Sequence, residues 1–174
     1  AKVLANAAIF RSVKTNAATN DLDNDDVLVL GGEQIVQGLE FGINGTITSK
    51  WAIIANYTYT DSEIKDSGDP DEIGDVIFNT PEHSASLWTT YQVDRAWQFG
   101  GGLQYIGEYQ NGDTTELDAV TLLNATASFQ ATDNVKLQLN TNNLTDEKYL
   151  LKPRGSRGVP GPGKSVTLTA SLEF

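Results

Sequence analysis

The sequence predicts an all-β protein, an antiparallel transmembrane β-barrel in which eight strands can be read. Three observations carry this. The last eleven residues, KSVTLTASLEF, place Val166, Leu168, Ala170, Leu172 and Phe174 on one face and Ser165, Thr167, Thr169, Ser171 and Glu173 on the other. Such unbroken period-2 alternation marks a strand with one apolar and one polar face. The connections between alternating segments are by turns short and long, as in barrels with short periplasmic turns and long outer loops. Charge gathers in the connections and is sparse in the strands. On the C-terminal segment alone, an edge strand of a soluble sandwich reads as well as a barrel strand, so the remaining elements decide.

The first alternating segment is Lys2 to Lys14, with Val3, Ala5, Ala7 and Ile9 as its outer face and Leu4 and Phe10 on the opposite one. The second, Glu33 to Ile47, sets Ile35, Leu39, Phe41, Ile43 and Ile47 against Gln34, Gly38, Glu40, Gly42 and Asn44. Only Thr48 to Lys50 separate it from the third, Trp51 to Ile64, so the two read as a hairpin. The fourth is Glu82 to Val93, with Ala85, Leu87 and Tyr91 outward. After the tight turn Asp94 to Ala96 comes the fifth, Trp97 to Gln110, which sets Trp97, Phe99, Leu103 and Tyr105 against Gln98, Gly100, Gly102 and Gln104. The sixth is Asp118 to Gln130, the seventh Val135 to Asn143, and the eighth the C-terminal strand. Long loops are expected over 15–32, 65–81, 111–117 and 145–163. The whole of 1–174 reads as one barrel segment.

Composition agrees. Hydrophobic residues are 39% of the 174, and mean hydropathy is -0.30. No apolar run approaches the ~20 residues of a spanning helix, but a barrel strand shows lipid only every second residue. The aromatics give an independent check. Trp51 and Trp97 each open a strand just after a short turn, Phe174 closes one at the same expected level, and Tyr57, Tyr59, Tyr91 and Tyr105 share the outward parity. These six Trp and Tyr residues are the expected membrane-interface aromatics. Aromatics also line sandwich cores, but here they sit at strand ends with small residues between, which suits a bilayer better.

The net charge of -11 disfavours nucleic acid, whose phosphates need basic surface. With no cysteine and one histidine, thiolate chemistry and a zinc-thiolate site are excluded, and no catalytic constellation is found. His83 reads as a rim residue. The acidic stretch Asp61–Asp75 invites a calcium reading, but it lacks the EF-hand spacing and reads as solvated loop charge. No cofactor and no resident metal are expected.

Six stretches then carry a family resemblance: GGEQIVQGLEFGINGTIT (Gly31–Thr48), WAIIANYTYTDSEI (Trp51–Ile64), NTPEHSASLWTTYQV (Asn79–Val93), FGGGLQYIGEYQ (Phe99–Gln110), LQLNTNNLTDEKYL (Leu137–Leu150) and VPGPGKSVTLTASLEF (Val159–Phe174). Together they resemble the C-terminal part of TonB-dependent outer-membrane receptors, in the ferric-siderophore branch. NNLTDEKY is close to the family's Asn-Leu-hydrophobic-Asp-x-x-Tyr signature, with Thr145 where a bulky apolar residue is commoner. The resemblance implies either the last eight strands of a twenty-two-stranded barrel or a derived, closed eight-stranded one. It implies the outer membrane of a Gram-negative bacterium, with lipid and lipopolysaccharide as surroundings. The family's plug domain and its TonB-engaging segment have no counterpart in these residues, so a ferric siderophore and TonB would act on a full-length receptor. The barrel-assembly machinery would read the last strand, with Phe174 as its signal. Lys148, Lys152, Arg154 and Arg157 make the last long loop basic. Arg154 and Arg157, with Tyr109, are the candidates to face an anionic ligand, since guanidinium forks suit such oxygens. Salt bridges to acidic loops or to lipopolysaccharide phosphates are the competing use.

Overall fold

A strand with one apolar and one polar face becomes stable only when its backbone pairs on both sides and its faces align with those of its neighbours. The computed structural model describes residues 1–21, 24–112, 115–154 and 157–174, and it shows this arrangement. The strands are β1 (Lys2–Asp21), β2 (Asn24–Thr46), β3 (Trp51–Asp66), β4 (His83–Gln92), β5 (Trp97–Ile106), β6 (Tyr109–Gln110), β7 (Glu116–Leu117), β8 (Val120–Thr132), β9 (Val135–Asn142), β10 (Leu150–Arg154), β11 (Arg157–Pro160) and β12 (Ser165–Leu172). Eight form one antiparallel sheet in the order β1-β2-β3-β4-β5-β8-β9-β12, while β6–β7 and β10–β11 are separate two-stranded pairs. β1 and β12 lie at opposite edges of the sheet. Of the two alternatives, a closed eight-stranded barrel and a stretch of a larger wall, the open sheet is the second.

Register places the faces as the alternation implies. Across the sheet, Ala7, Phe41, Tyr57, Ala85 and Tyr105 pair in one row. Trp51, Tyr91, Phe99, Ala127, Leu139 and Leu168 pair in another. Val3, Ala5, Ala7 and Ile9 of β1 lie opposite Gly45, Ile43, Phe41 and Leu39, so the outer face expected for the first segment stands. The opposite face carries rows such as Asn6, Gly42, Asn56, Ser86 and Gln104. It also carries a row that the alternation did not single out: Leu4, Asn44, Ile54, Trp88, Gly102 and Asn124. The Trp88 ring lies against Gly102, where a Cβ would overlap Trp88 and the Leu87 carbonyl. Among the described residues only Ala17 and Ile35 are buried apolar side chains. The sheet is one layer deep, and its apolar face stays uncovered by protein, as a wall facing hydrocarbon requires. Among the described residues no helix is long and apolar enough to cross a membrane.

The expected loops differ from the structure in three places. The described residues of 15–32 are not a loop. β1 and β2 carry their pairing on from Thr15 opposite Glu33 to Asn20 opposite Leu28, and Asp21 pairs with Asn24, with bulges near Thr15, Ala17 and Asn20. The polar, acidic composition hides the strand, but Val27–Leu30 supply four consecutive apolar residues, two of them the β-branched valines that strands favour, and Asn16 takes the extra residue at φ 55, a left-handed conformation that asparagine tolerates. The fifth segment breaks at Gly107, and its end, Tyr109–Gln110, pairs with Glu116–Leu117 as a small hairpin. Residues 145–163 contain the β10–β11 hairpin rather than irregular chain throughout. The short turns fall where expected. At the first, Trp51 N–H donates to the Thr48 carbonyl. At the second, the Asp94 carboxylate accepts from the N–H groups of Ala96 and Trp97, both at 2.8 Å.

Candidate functional site at the long-loop end of the sheet

Strand direction puts the ends of β1, β3, β5 and β9, and the starts of β2, β4, β8 and β12, at one end of the sheet. The acidic segments collect there. The loop after β3 is tied down rather than free. Thr19 Oγ1 lies 2.7 Å from Ser67 Oγ and accepts from Gly68 N–H at 2.7 Å, while Ser67 Oγ donates to Glu72 at 2.6 Å. The one-turn helix Pro70–Glu72 starts with the Asp69 side chain accepting from Asp71 N–H. Among the described residues no three acidic or histidine side chains converge on a point that could hold a metal ion.

The densest polar construction at this end is built by Asn143 to Tyr149. Asn143 is 4% exposed and sits at φ 49. Its amide nitrogen donates to the carbonyls of Glu147 (2.9 Å) and Pro162 (3.1 Å), and its side-chain oxygen accepts from Glu147 N–H (2.8 Å). Its own N–H donates to Asn124 Oδ1 on β8 (3.0 Å). Asp146, at φ 56, accepts from Lys164 N–H and Lys148 Nζ, both at 2.9 Å. The Lys164 backbone N–H, followed by the Lys148 ammonium, holds the Asp146 carboxyl below its ordinary value. Gly161 N–H donates to the Tyr149 carbonyl, and the Tyr149 ring covers Gly161 so closely that any side chain there would overlap it. The two motifs that carry the resemblance, NNLTDEKY and PGPGK, thus form one knot. It joins the end of β9 to the start of β12 and roots the β10–β11 hairpin between them. The sequence supplied the signature but not this role; the signal was there in Asn and Asp, the non-glycine residues that tolerate positive φ.

Beside the knot lies a cavity of about 240 Å³ lined by Tyr109, Leu117, Asp118, Ala119, Val120 and the run Glu147 to Leu150. Tyr109, a candidate ligand residue, is one wall, and Leu150, the first residue of β10, is another. Arg154 and Arg157 lie directly opposite each other at the far end of β10–β11. One cavity wall and the two arginine positions therefore belong to the same loop cluster, with the hairpin leading from one to the other. Their guanidinium groups lie outside the described residues.

The other residues singled out from sequence fall as follows. Trp51, Tyr91, Trp97 and Phe99 share the outward face near the short-turn end, where the Trp97 ring stacks on Phe99 (centroids 5.7 Å) and tilts against Phe129 (4.5 Å). Tyr57, Tyr59 and Tyr105 share that face toward the long-loop end. His83 joins them there, with Tyr57 Oη 2.9 Å from its Nδ1 and the Tyr59 ring centroid at 5.4 Å. Trp51 and Tyr59 are eight residues apart on β3, about 27 Å along the strand at ~3.4 Å per residue. Phe174 follows β12 and is fully exposed, while Asn134 clips the chain just before it through bonds to the Glu173 backbone at 2.9 and 3.0 Å.

Comparison with known proteins gives this geometry a context. A family model described as TonB dependent receptor-like, beta-barrel, matches residues 1–144. The probable TonB-dependent siderophore receptor PiuA of Acinetobacter baumannii is 34% identical over 97% of the chain, and the catecholate siderophore receptor Fiu of Escherichia coli K12 is 30% identical over 99%. Each match covers 24% of the relative, so the chain spans about a quarter of the length of the curated relatives it matches. The crystal structure of PiuA superposes with a TM-score of 0.88 over 99% of this chain and 26% of that one, at 33% identity. The ferripyoverdine receptor of Pseudomonas aeruginosa superposes at 0.83 over 99% of this chain and 25% of its own, with 19% identity, a likeness of fold alone.

Proposed function

Because the chain belongs to the TonB-dependent receptor-like β-barrel family, we propose that it supplies the C-terminal strands of a barrel that carries a ferric siderophore across the outer membrane. What supports this reading is an eight-stranded sheet that does not close, apolar on one face and polar on the other. Its likeness to two siderophore receptors runs over nearly its whole length. In this role the residues 1–174 act as one segment of the wall. The short turns face the periplasm and the long loops the exterior. The plug and the contact with TonB belong to the full-length receptor.

The β10–β11 hairpin then stands at the outer mouth. Arg154 and Arg157 offer paired guanidinium forks to an anionic ferric siderophore, and Tyr109 supplies an aromatic wall below them. Trp51, Tyr91, Trp97 and Tyr57, Tyr59, Tyr105 serve as two interface belts, amphipathic rings at the level of the headgroups. Lipopolysaccharide surrounds the upper belt, and the assembly machinery engages β12 with its terminal Phe174. In the full-length receptor, Arg154→Ala/Arg157→Ala is expected to weaken ferric-siderophore binding, each lost charge-assisted bond costing about tenfold in affinity. Binding indistinguishable from wild type would remove these residues from the ligand site.

A further inference from the structure

The three consecutive glycines Gly100–Gly102 are not equivalent. A Cβ at Gly100 would meet Thr126 and Thr90, and one at Gly102 would meet Trp88 and the Leu87 carbonyl. Both lie on the inner face, where packing excludes a side chain. Gly101 lies on the outward face, and a Cβ there would meet only the Asn124 carbonyl oxygen at an ordinary 3.6 Å. Packing does not require this glycine. Its consequence is a hollow of about 380 Å³ on the lipid side, floored by Gly101 and walled by Trp51, Thr89, Tyr91 and Phe99. The walls are held in place: Trp51 Nε1 donates to Thr89 Oγ1 at 2.7 Å, and that hydroxyl donates to the Ala52 carbonyl at 2.9 Å. The one polar group of the Trp is thereby satisfied, and the hollow presents hydrocarbon and ring faces.

At the short-turn end of the same strands is the β4–β5 turn, which carries Arg95 and is reached by the Lys50 ammonium. Lys50 Nζ reaches over to the Val93 carbonyl at 2.8 Å. Arg95 is exposed and makes no hydrogen bond or ion pair among the described residues. The Asp94 carboxylate is turned back onto the Ala96 and Trp97 N–H groups. In a chain of net charge -11, this turn is locally positive. A shallow, open apolar hollow with cations at one end fits an amphiphile with an acyl chain and an anionic head. β3, β4 and β5 are interior to the sheet, so further strands of a barrel add at β1 and β12 and leave this face open.

We propose that this hollow is a binding site for an anionic glycerophospholipid of the periplasmic leaflet, its acyl chain over Gly101 and its phosphate at Arg95 and Lys50. The leaflet rests on the barrel orientation proposed above, whereas the preference for an anionic lipid does not. The test is native mass spectrometry of the complete barrel containing this chain, in detergent with equal amounts of phosphatidylglycerol and phosphatidylethanolamine. Heat-dependent gel migration reports the barrel fold separately. Wild type is expected to retain phosphatidylglycerol preferentially. The Lys50→Ala/Arg95→Ala variant should lose that preference, roughly fivefold per cation, while keeping its migration. Gly101→Leu, which the backbone accommodates, should lose retention of both lipids. Equal retention of the two lipids by wild type, or unchanged retention in Gly101→Leu, would overturn the proposal. So would a dimer that Gly101→Leu dissociates, because the occupant would then be a second copy of the chain.

Discussion

Replacing Asn143 by alanine tests whether the knot holds the loop cluster together. The side chain makes two donor bonds and one acceptor bond, at 2.9, 3.1 and 2.8 Å, from a position 4% exposed. At about 1 kcal/mol net for each bond, their loss costs the local structure about 3 kcal/mol. Alanine at φ 49 adds about 1 kcal/mol, because its Cβ crowds the following carbonyl oxygen in the left-handed region. Glycine at the same position loses the bonds without this strain, so Asn143→Gly should be milder than Asn143→Ala by that last amount. The assay is amide hydrogen exchange of the complete barrel, followed at the Glu147 and Lys164 N–H groups. The loss of about 4 kcal/mol in Asn143→Ala corresponds to faster local opening by on the order of 1,000-fold, and that of about 3 kcal/mol in Asn143→Gly by on the order of 100-fold, while exchange in β3–β5 stays unchanged. Protection at Glu147 and Lys164 within twofold of wild type in Asn143→Ala would refute the reasoning, since the side-chain bonds would then contribute nothing measurable. Equal effects of alanine and glycine would leave the bonds standing but dismiss the conformational share.

The same knot has a pH dependence. Asp146 has a folded pKa below its ordinary 3.8, so its contribution is fully present above that value and is lost as pH falls through the lower folded value. Hydrogen exchange at Lys164 should therefore rise in that acid window in wild type, and Asp146→Asn should remove the dependence. Gly161→Ala must displace the Tyr149 ring and should loosen the β10–β11 hairpin, read as increased proteolytic nicking within residues 150–160 with the eight-stranded sheet intact. Deleting Phe174, which is fully exposed and so supports no fold, should slow outer-membrane insertion without altering the thermal stability of barrel already inserted. Insertion at the wild-type rate would deny it a role in assembly.

Legibility followed the range of the physics involved. The faces of β3, β5 and β9 could be read residue by residue, because each strand reports its own two environments through period-2 alternation. The short turns were legible for the same local reason, as at Asp94, which caps its own turn. The end of β1 and the start of β2 were not, because the polar run up to Asp21 looks like loop while Thr19, Asn20 and Asp21 still find partners in Val29, Leu28 and Asn24. The inward Trp88 escaped notice since its meaning depends on Gly102 of the next strand.

The candidate site divides in the same way. Tyr109, Arg154 and Arg157 could be named from residue type, but their membership of one loop cluster depends on the hairpin between them, and that hairpin depends on bonds from Asn143 to residues up to nineteen positions away. What the sequence by itself determined was the two-faced wall: alternation is enforced strand by strand, wherever one side meets hydrocarbon and the other water. What only the tertiary structure decided was that the sheet stays open, that a knot roots the last hairpin, and that a bare Gly101 leaves a hollow on the lipid side. Each of these depends on which distant residues stand beside one another, and a local pattern carries no information about its neighbours in space.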